Sequence, residues 1–429
     1  MIEKLQAPKG VPEYVPPNGD LFKYVRDELA APAIAAGYRY IELPYFEDFN
    51  LYARGIGEST DVVSKEMYTF TDRADRILAL RPEGTAGVIR SVIENSLTQQ
   101  GLPVKIWYAG AFFRAEKPQK GRYRQLQQVG IEAIGAENPA LDSEVIALGY
   151  HAFKNLGLSS FELQITSLGC FNCRPGYREK LIKFLAEVKL DDETRKRADI
   201  NPLRVLDDKR PEIQSLIINA PLMLDNVCNE CRDYHEMVLK YLDHHGIPYV
   251  VNKRLVRGLD YYTKTTFEFV HHGLGAQSGI GGGGRYDQLM FSLGGQDLSG
   301  IGYALGVDRA LIAAESENIN LEQRLPDLVC VVPTDSEFNV NAFKIADLLR
   351  ESGIVVDQVT HTKNLKNGLK VANRLTAKCA VIIGDDEVRT GIYTVKWLAT
   401  GEQNSVPLDE LVTQISQHLP LAEKPKKDD

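Results

Sequence analysis

Apolar positions along the chain switch between a helical and an alternating period, and the switches mark out the elements. After the polar start Asn18-Gly19-Asp20, the residues Leu21, Val25 and Leu29 recur every fourth position. That spacing predicts a helix, disturbed at Pro32 and closed by Gly37. Tyr38 to Leu43 reads as a strand that Pro44 ends. Met67–Phe70 and Ile77–Leu80 flank a polar turn and predict a hairpin, followed by a helix from about Thr85 to Glu94. Val104–Ala115 and Gln125–Gly135 are two long apolar strands around the polar loop Lys117–Tyr123. A helix from about Asp142 to Leu156 stops at Gly157.

The character then changes. Residues 170–245 are charge-rich and helical in pattern, with Cys-x-x-Cys at both ends, and read as an insertion. Strand patterns resume at Ile247–Asn252, Thr265–Val270 and Ile301–Leu305. Strands bunched unevenly around helices predict an α+β domain with a mainly antiparallel sheet. Beyond Arg324-Leu325-Pro326, strands at Leu328–Val332, Ala380–Ile383 and Tyr393–Leu398 alternate with helical stretches such as Asn339–Glu351, which predicts a small α/β domain. The expected division is a domain over 1–325 with its helical insertion at about 170–245, a second domain over 326–415, and a charged, frayed tail over 416–429. The chain carries no internal repeats.

At 429 residues, two or three domains are expected. The composition, 44% hydrophobic and 25% charged, is that of a soluble globular protein, and the absence of a long apolar run argues against a membrane span. The start MIEKLQAPKGVPEY resembles neither a secretory signal nor a transit peptide. A formal charge of −8 argues against a general nucleic-acid coat but leaves room for a local basic patch. Six cysteines are too few for a disulfide scaffold, so a reducing cytoplasm is the expected setting.

Four clusters carry candidate chemistry. Phe113-Arg114-Ala115-Glu116 ends one strand, and Gln128, Gly130 and Glu132 share a face of the next. If the strands pair, Arg114, Gln128 and Glu132 face one cavity; alone, the alternation also fits a half-buried strand with its polar residues in water. The joining loop sets Lys117, Lys120, Arg122 and Arg124 beside Tyr123, a mix suited to phosphate and base contacts, or to an ordinary hairpin tip. The second cluster, Leu255-Val-Arg-Gly-Leu-Asp-Tyr-Tyr-Thr263, reads as a site rim or a surface turn. In the third, Gly279-Ile-Gly-Gly-Gly-Gly-Arg-Tyr-Asp287, glycines let backbone approach a ligand closely, although it is not a P-loop. The fourth, Gly300–Arg309, passes from strand to helix and sets Arg309 in the first helical turn, where a guanidinium pairs well with phosphate.

Cys170, Cys173, Cys228 and Cys231 form two Cys-x-x-Cys pairs bracketing the insertion. Two such knuckles complete a tetrahedral site for a structural Zn²⁺ if they meet in space. Four reduced cysteines without metal, or a redox-sensitive pair, are the alternatives, and His235 is a substitute ligand.

Together the four clusters resemble the class II aminoacyl-tRNA synthetases. Phe113–Glu116 with its loop resembles motif 2, Gly302–Arg309 resembles motif 3, and the helix before Tyr38 with the strand ending at Pro44 resembles the dimer-forming motif 1. Leu255–Tyr262 and Gly282-Gly-Gly-Arg-Tyr-Asp287 resemble signatures peculiar to the histidyl-tRNA synthetase family, as do Arg81–Thr85 and Arg114–Gln125. The resemblance runs from about residue 5 to 415. It implies that Glu83, Gly84 and Thr85, helped by Gln128, hold the α-amino group of histidine. It implies further that Glu132 and Tyr262 read the imidazole, that Tyr261 lines the pocket, and that Arg114 and Arg309 bind ATP phosphates. Arg257 then lies near the histidine carboxylate and α-phosphate and, with Arg114, is catalytic. The implied partners are tRNA(His), histidine, ATP with Mg²⁺ and a second copy of the chain, with no membrane.

The second domain resembles the family's anticodon-binding module. Its Lys363, Lys366, Lys370 and Arg374 make a candidate RNA-binding stripe on an otherwise acidic chain. The alternative is a non-catalytic, synthetase-like regulatory subunit of ATP phosphoribosyltransferase. Such subunits typically lack the anticodon-binding module and depart at catalytic positions, whereas residues 326–415 and Arg257 are present here.

Overall fold

The computed structural model describes all residues except 1–3, 58–59, 207, 209, 257, 362–363 and 420–429, and the side chains of 276 and 277. Arg257, Lys363 and most of the tail therefore lie outside the described residues. The chain divides into two compact units, 1–321 and 322–429.

The first unit is built on an eight-stranded sheet. In spatial order its strands are Arg39–Tyr40, Val104–Phe113, Gln125–Ile134, Gly300–Gly306, Gly279–Tyr286, Thr263–His271, Phe161–Ser167 and Val250–Val251. The two edge pairings are parallel and the five inner ones antiparallel, giving the α+β fold with a mainly antiparallel sheet that the strand pattern predicts. On one face Val129, Ile131 and Ala133 pack against Val25, Leu29 and Ala33 of helix Asn18–Ala35 and Val145 and Phe153 of helix Pro139–Asn155. The opposite face carries Ile106, Tyr108, Phe112 and Ile134 and is covered by helix Thr85–Glu94 through Val88, Ile89 and Val92.

Several elements depart from the hydrophobic pattern for identifiable reasons. The glycine-rich segment, to which alternation assigns no element, is a central strand, because glycine leaves no side chains to alternate. A Cβ at Gly281 would lie 2.6 Å from Leu305 Cδ2, and one at Gly283 would strike the Gly302 carbonyl. The strand expected over Tyr38–Leu43 shrinks to Arg39–Tyr40 because the Leu43 carbonyl is taken by Arg81 Nη1 at 2.8 Å instead of by a neighbouring strand. Of Ile247–Asn252 only Val250–Val251 forms a strand, with Asn252 N–H adding a bond to the Ile165 carbonyl, because Ile247 N–H caps the preceding helix at Leu242 O, 3.0 Å away. The helix expected near Asp142 starts at Pro139, where Asn138 Oδ1 accepts from Ala140 N–H at 2.8 Å. Helix Asn18–Ala35 continues through Pro32 for one more turn.

Residues Cys170–Val227 form short helices around a separate core of Tyr177, Leu181, Leu185, Val205, Ile213 and Ile217. The next helix, Asn229–His244, returns Val238 and Leu242 to the main core. In the second unit, the sheet order is Val355–Gln358, Leu328–Pro333, Cys379–Ile383, Ile392–Trp397, Gln403–Pro407, parallel then antiparallel. Its two central strands bury both faces, which explains their unbroken apolar runs.

A fully buried ion pair joins the glycine-rich strand to the helical layer. Arg285 Nη2 donates to Asp142 Oδ1 at 2.5 Å, and Asp287 and the Ala136 carbonyl complete the guanidinium's partners. Replacing Asp142 with Ala strips the buried guanidinium of its main carboxylate and leaves it only Asp287 and a carbonyl. It is expected to destabilise the first unit by about 3–5 kcal/mol, measured as a lower urea midpoint of its unfolding transition. An unchanged midpoint would show that the remaining partners suffice.

Candidate active site

The cavity-facing side of the sheet collects the polar side chains. Gln128 and Glu132 rise from the Gln125–Ile134 strand with Gly130 between them, and the next strand sets Gly306, Ala304 and Gly302 directly opposite. These strands floor a cavity of about 300 Å³. Its space depends on missing side chains: a Cβ at Gly84 or Gly130 would strike the Tyr108 ring, and one at Gly302 would strike the Glu132 carboxylate.

Glu132 is only 1% exposed. It accepts hydrogen bonds from Thr85 Oγ1 at 2.7 Å, Tyr286 Oη at 2.5 Å and, more weakly, Tyr108 Oη at 3.4 Å. Burial pushes its pKa up to about 8, against the opposing pull of the hydroxyl donors. Glu83 is raised as well, again by burial first. Its two oxygens accept from the Thr85 and Ala86 backbone N–H groups, at 2.6 and 2.9 Å, at the start of the Thr85–Glu94 helix. The positive end of that helix favours a carboxylate there. Tyr261 and Tyr262, with ring centroids 4.8 Å apart, line the same cavity, and Tyr261 meets the Tyr286 ring nearly edge-on. Gln128 Oε1 is buried against the cavity with no hydrogen-bond partner among the described residues.

Cations line another part of the cavity. Arg114 Nε is anchored on the Pro82 carbonyl at 3.0 Å. Arg309, in the first turn of helix Val307–Ser316, is anchored through Nε on the Gly121 carbonyl at 2.8 Å and through Nη1 on the Gly279 carbonyl. Burial, and next the charge of Arg114, push the Arg309 guanidinium down, and Arg122 adds to this. Three guanidiniums collected in a partly dry site favour a polyanion between them. Arg122 also pairs with the buried Glu116. Its loop neighbour Arg124 is held elsewhere, on the Glu116 and Lys9 carbonyls. Gly258 and Leu259, beside Arg257, line the cavity.

Sequence reasoning assigned no role to Tyr108 or Tyr286, the two phenols bonded to Glu132. Tyr286 stands in the glycine-rich signature, and Tyr108 faces Gly130 across the strand pair, which were the available signals. Arg81, from another signature, is structural: it lies buried between Tyr45 and Phe112 and donates to the Ala111 carbonyl at 2.7 Å.

Comparison with known proteins fits this architecture. The family model for histidyl-tRNA synthetase matches residues 10–310, and that for an anticodon binding domain matches residues 328–418. The chain belongs to the histidyl-tRNA synthetase family. The histidine–tRNA ligase of Rhodococcus erythropolis is 58% identical over 95% of this chain and 97% of its own length. That of Corynebacterium diphtheriae is 57% identical over 97% and 99%. Among solved structures, the apo histidyl-tRNA synthetase of S. aureus superposes with a TM-score of 0.78, at 35% identity, covering 96% of this chain and 99% of that one.

Two further groups lie away from the cavity. The sulfurs of Cys170, Cys173, Cys228 and Cys231 converge to within 4.8 Å of one another. His235, the substitute ligand, is not in that cluster. In the second unit, Lys366, Lys370 and Arg374 are exposed at four-residue spacing along helix Leu365–Arg374, opposite the buried Gly368 and Ala372. Among the described residues, no helix is long and apolar enough to cross a membrane.

The Glu132 carboxyl ionises near pH 4.5 when unperturbed and near 8 in the folded chain. Between those values the folded state holds the extra proton, so this group makes the fold lose stability as pH rises through that window. Glu132→Gln removes the titration. Urea midpoints from pH 5 to 8 should therefore fall in the wild type relative to the variant, and parallel profiles would contradict the raised pKa.

Proposed function

We propose that this chain activates histidine with ATP to histidyl-adenylate and transfers the histidyl group to the 3′ end of tRNA(His). The observation that carries the reading is one cavity holding a buried carboxylate, Glu132, among phenols and a separate cluster of guanidiniums. In this reading Glu132 and Tyr262 bind the imidazole nitrogens, and Tyr261 walls the pocket. Glu83, Gly84, Thr85 and the open acceptor of Gln128 hold the α-amino group. A site built to hydrogen-bond its substrate rejects amino acids lacking the partner groups.

Arg114 and Arg309 bind the ATP phosphates. The histidine carboxylate attacks the α-phosphorus and pyrophosphate leaves. Arg114 and Arg257 stabilise the negative charge where it develops, without proton transfer. Mg²⁺ accompanies the ATP phosphates and offsets their charge. A terminal ribose hydroxyl of the tRNA then takes the histidyl group.

The functional division is a catalytic domain over 1–325, an anticodon-binding domain over 326–415 and a tail over 416–429, working as a cytoplasmic homodimer. Exposed Tyr40, Tyr45, Phe46 and Phe70 near the motif 1 strand support that dimer. Arg122 and Arg124 serve the tRNA acceptor end, and Lys366, Lys370 and Arg374 the anticodon arm. Cys170, Cys173, Cys228 and Cys231 hold a structural Zn²⁺. The regulatory-subunit alternative is disfavoured by near-full-length identity to histidine–tRNA ligases.

Exchange of labelled pyrophosphate into ATP, run with each amino acid in turn, tests the proposal: histidine alone should support it, and exchange with another amino acid or none would refute it. Arg257→Ala is expected to slow adenylate formation by orders of magnitude while the histidine dissociation constant stays within roughly tenfold. Equal losses in both would remove Arg257 from the transition state. Neutralising Lys366, Lys370 and Arg374 together should weaken tRNA charging and flatten its salt dependence, with pyrophosphate exchange intact. Normal charging at several salt concentrations would refute the basic stripe.

A further inference from the structure

We propose that the metal held by Cys170, Cys173, Cys228 and Cys231 is a positioning device for the histidine pocket, acting through Lys264 and the segment that carries Tyr261 and Tyr262. The inference rests on the function proposed above for the identity of that pocket.

The sulfur geometry is suited to one ion. Cys170 and Cys173 are 3.5 Å apart at Sγ, Cys173 and Cys231 are 3.9 Å apart, and all four sulfurs fall within 4.8 Å of one another. Zn–S bonds of about 2.3 Å in a tetrahedron require separations of about 3.8 Å. Cys228 N–H donates to Cys173 Sγ at 3.1 Å, a contact that favours a thiolate. Charge agrees: four thiolates around Zn²⁺ leave a net negative cluster, and two cations, the half-buried Arg174 and the buried Lys264, lie close enough to interact electrostatically with these sulfurs. Cys228 is exposed, which gives the ion a way in, whereas Cys173 and Cys231 are buried.

The cluster is wired to the pocket by backbone. Beyond the paired strands Phe161–Ser167 and Thr263–His271, the ladder continues: Leu168 N–H donates to the Lys264 carbonyl at 2.8 Å, and Lys264 N–H to the Gly169 carbonyl at 2.9 Å. Gly169 precedes the first cysteine and has φ +62°, and a Cβ there would sit 2.9 Å from Cys173 Cβ. Lys264 itself is held at φ +43°, a conformation a side-chain-bearing residue keeps only where its surroundings impose it. It lies two residues after Tyr262, with its ammonium on Glu137. On the other side, Val256 packs against the insertion core that contains Cys173 and Cys231. The Gly258–Thr263 segment is thus flanked by Val256, packed on the core that holds Cys173 and Cys231, and by Lys264, bonded to the backbone just before Cys170, while none of the four cysteines lines the cavity. The metal would set where the tyrosine wall stands without touching substrate.

The test uses the full-length chain. Metal analysis and the d–d spectrum of the cobalt-substituted protein report the site itself. Michaelis constants for histidine and for ATP, from pyrophosphate exchange, report the pocket. Wild type should carry close to one zinc per chain. Stripping with a zinc-selective chelator, or Cys228→Ser, should remove zinc and raise the histidine KM about tenfold or more while the ATP KM moves less than about twofold. Restored Zn²⁺ in the stripped protein, and Cys228→His as a fourth ligand, should recover both metal and KM. Wild type that is purified free of zinc yet fully active overturns the metal. Zinc lost without a change in histidine KM, or with an equal rise in both constants, overturns the positioning role and leaves the site standing. Zinc-loaded protein with no histidine-dependent exchange refutes the function instead.

Discussion

A carboxyl group held in the interior of an apolar sheet is the constraint around which the first unit is arranged. Glu132 sits where burial disfavours its charge, so it is kept only by surrounding donors: the Thr85 hydroxyl and the Tyr286 and Tyr108 phenols. Each donor comes from a different element. Thr85 opens a helix, Tyr286 ends the glycine-rich strand, and Tyr108 stands on the strand beside Glu132. The glycines follow from this, since Gly84, Gly130 and Gly302 leave the volume that the phenol and the carboxylate occupy.

The same register separates two kinds of chemistry within one cavity. Residues four apart on Gln125–Ile134 supply Gln128 and Glu132, while Arg114 follows the strand on one side and Arg309 opens the helix that follows the strand on the other, each guanidinium anchored on a backbone carbonyl. Acceptors with apolar walls at one part and clustered cations at another suit a ligand pair with opposite demands: an amino acid side chain read by hydrogen bonds, and phosphates held by charge. The other side of the sheet does the holding. There the buried Arg285–Asp142 pair fixes the glycine-rich strand, whose four consecutive glycines offer no side chains to pack, against the helical layer.

Much of this was legible along the chain. Alternation at Gln128, Gly130 and Glu132 reports one face of a strand whatever the fold, and apolar residues at helical spacing in Asn18–Ala35 and Asn339–Glu351 report buried stripes; both are local consequences of backbone period. The mainly antiparallel sheet and the small second α/β unit followed from such signals, and the signature clusters pointed to the family. Local pattern was blind where the cause is non-local. The glycine-rich strand has no alternation to read, and the strand after Tyr38 is cut short by Arg81, a residue far along the chain that takes the Leu43 carbonyl.

The sequence by itself determined which residue types were available, their spacing within each element, and the family to which their motifs belong. Only the tertiary structure decided their partners. It set Tyr286 and Tyr108 on Glu132, gathered Arg114, Arg122 and Arg309 at one cavity, left Gln128 Oε1 open, and brought the two Cys-x-x-Cys knuckles together across the insertion. The physical reason is that hydrogen bonding, desolvation and charge coupling act over a few ångströms in space, and strand register and chain reversal place residues at those distances irrespective of their separation in sequence.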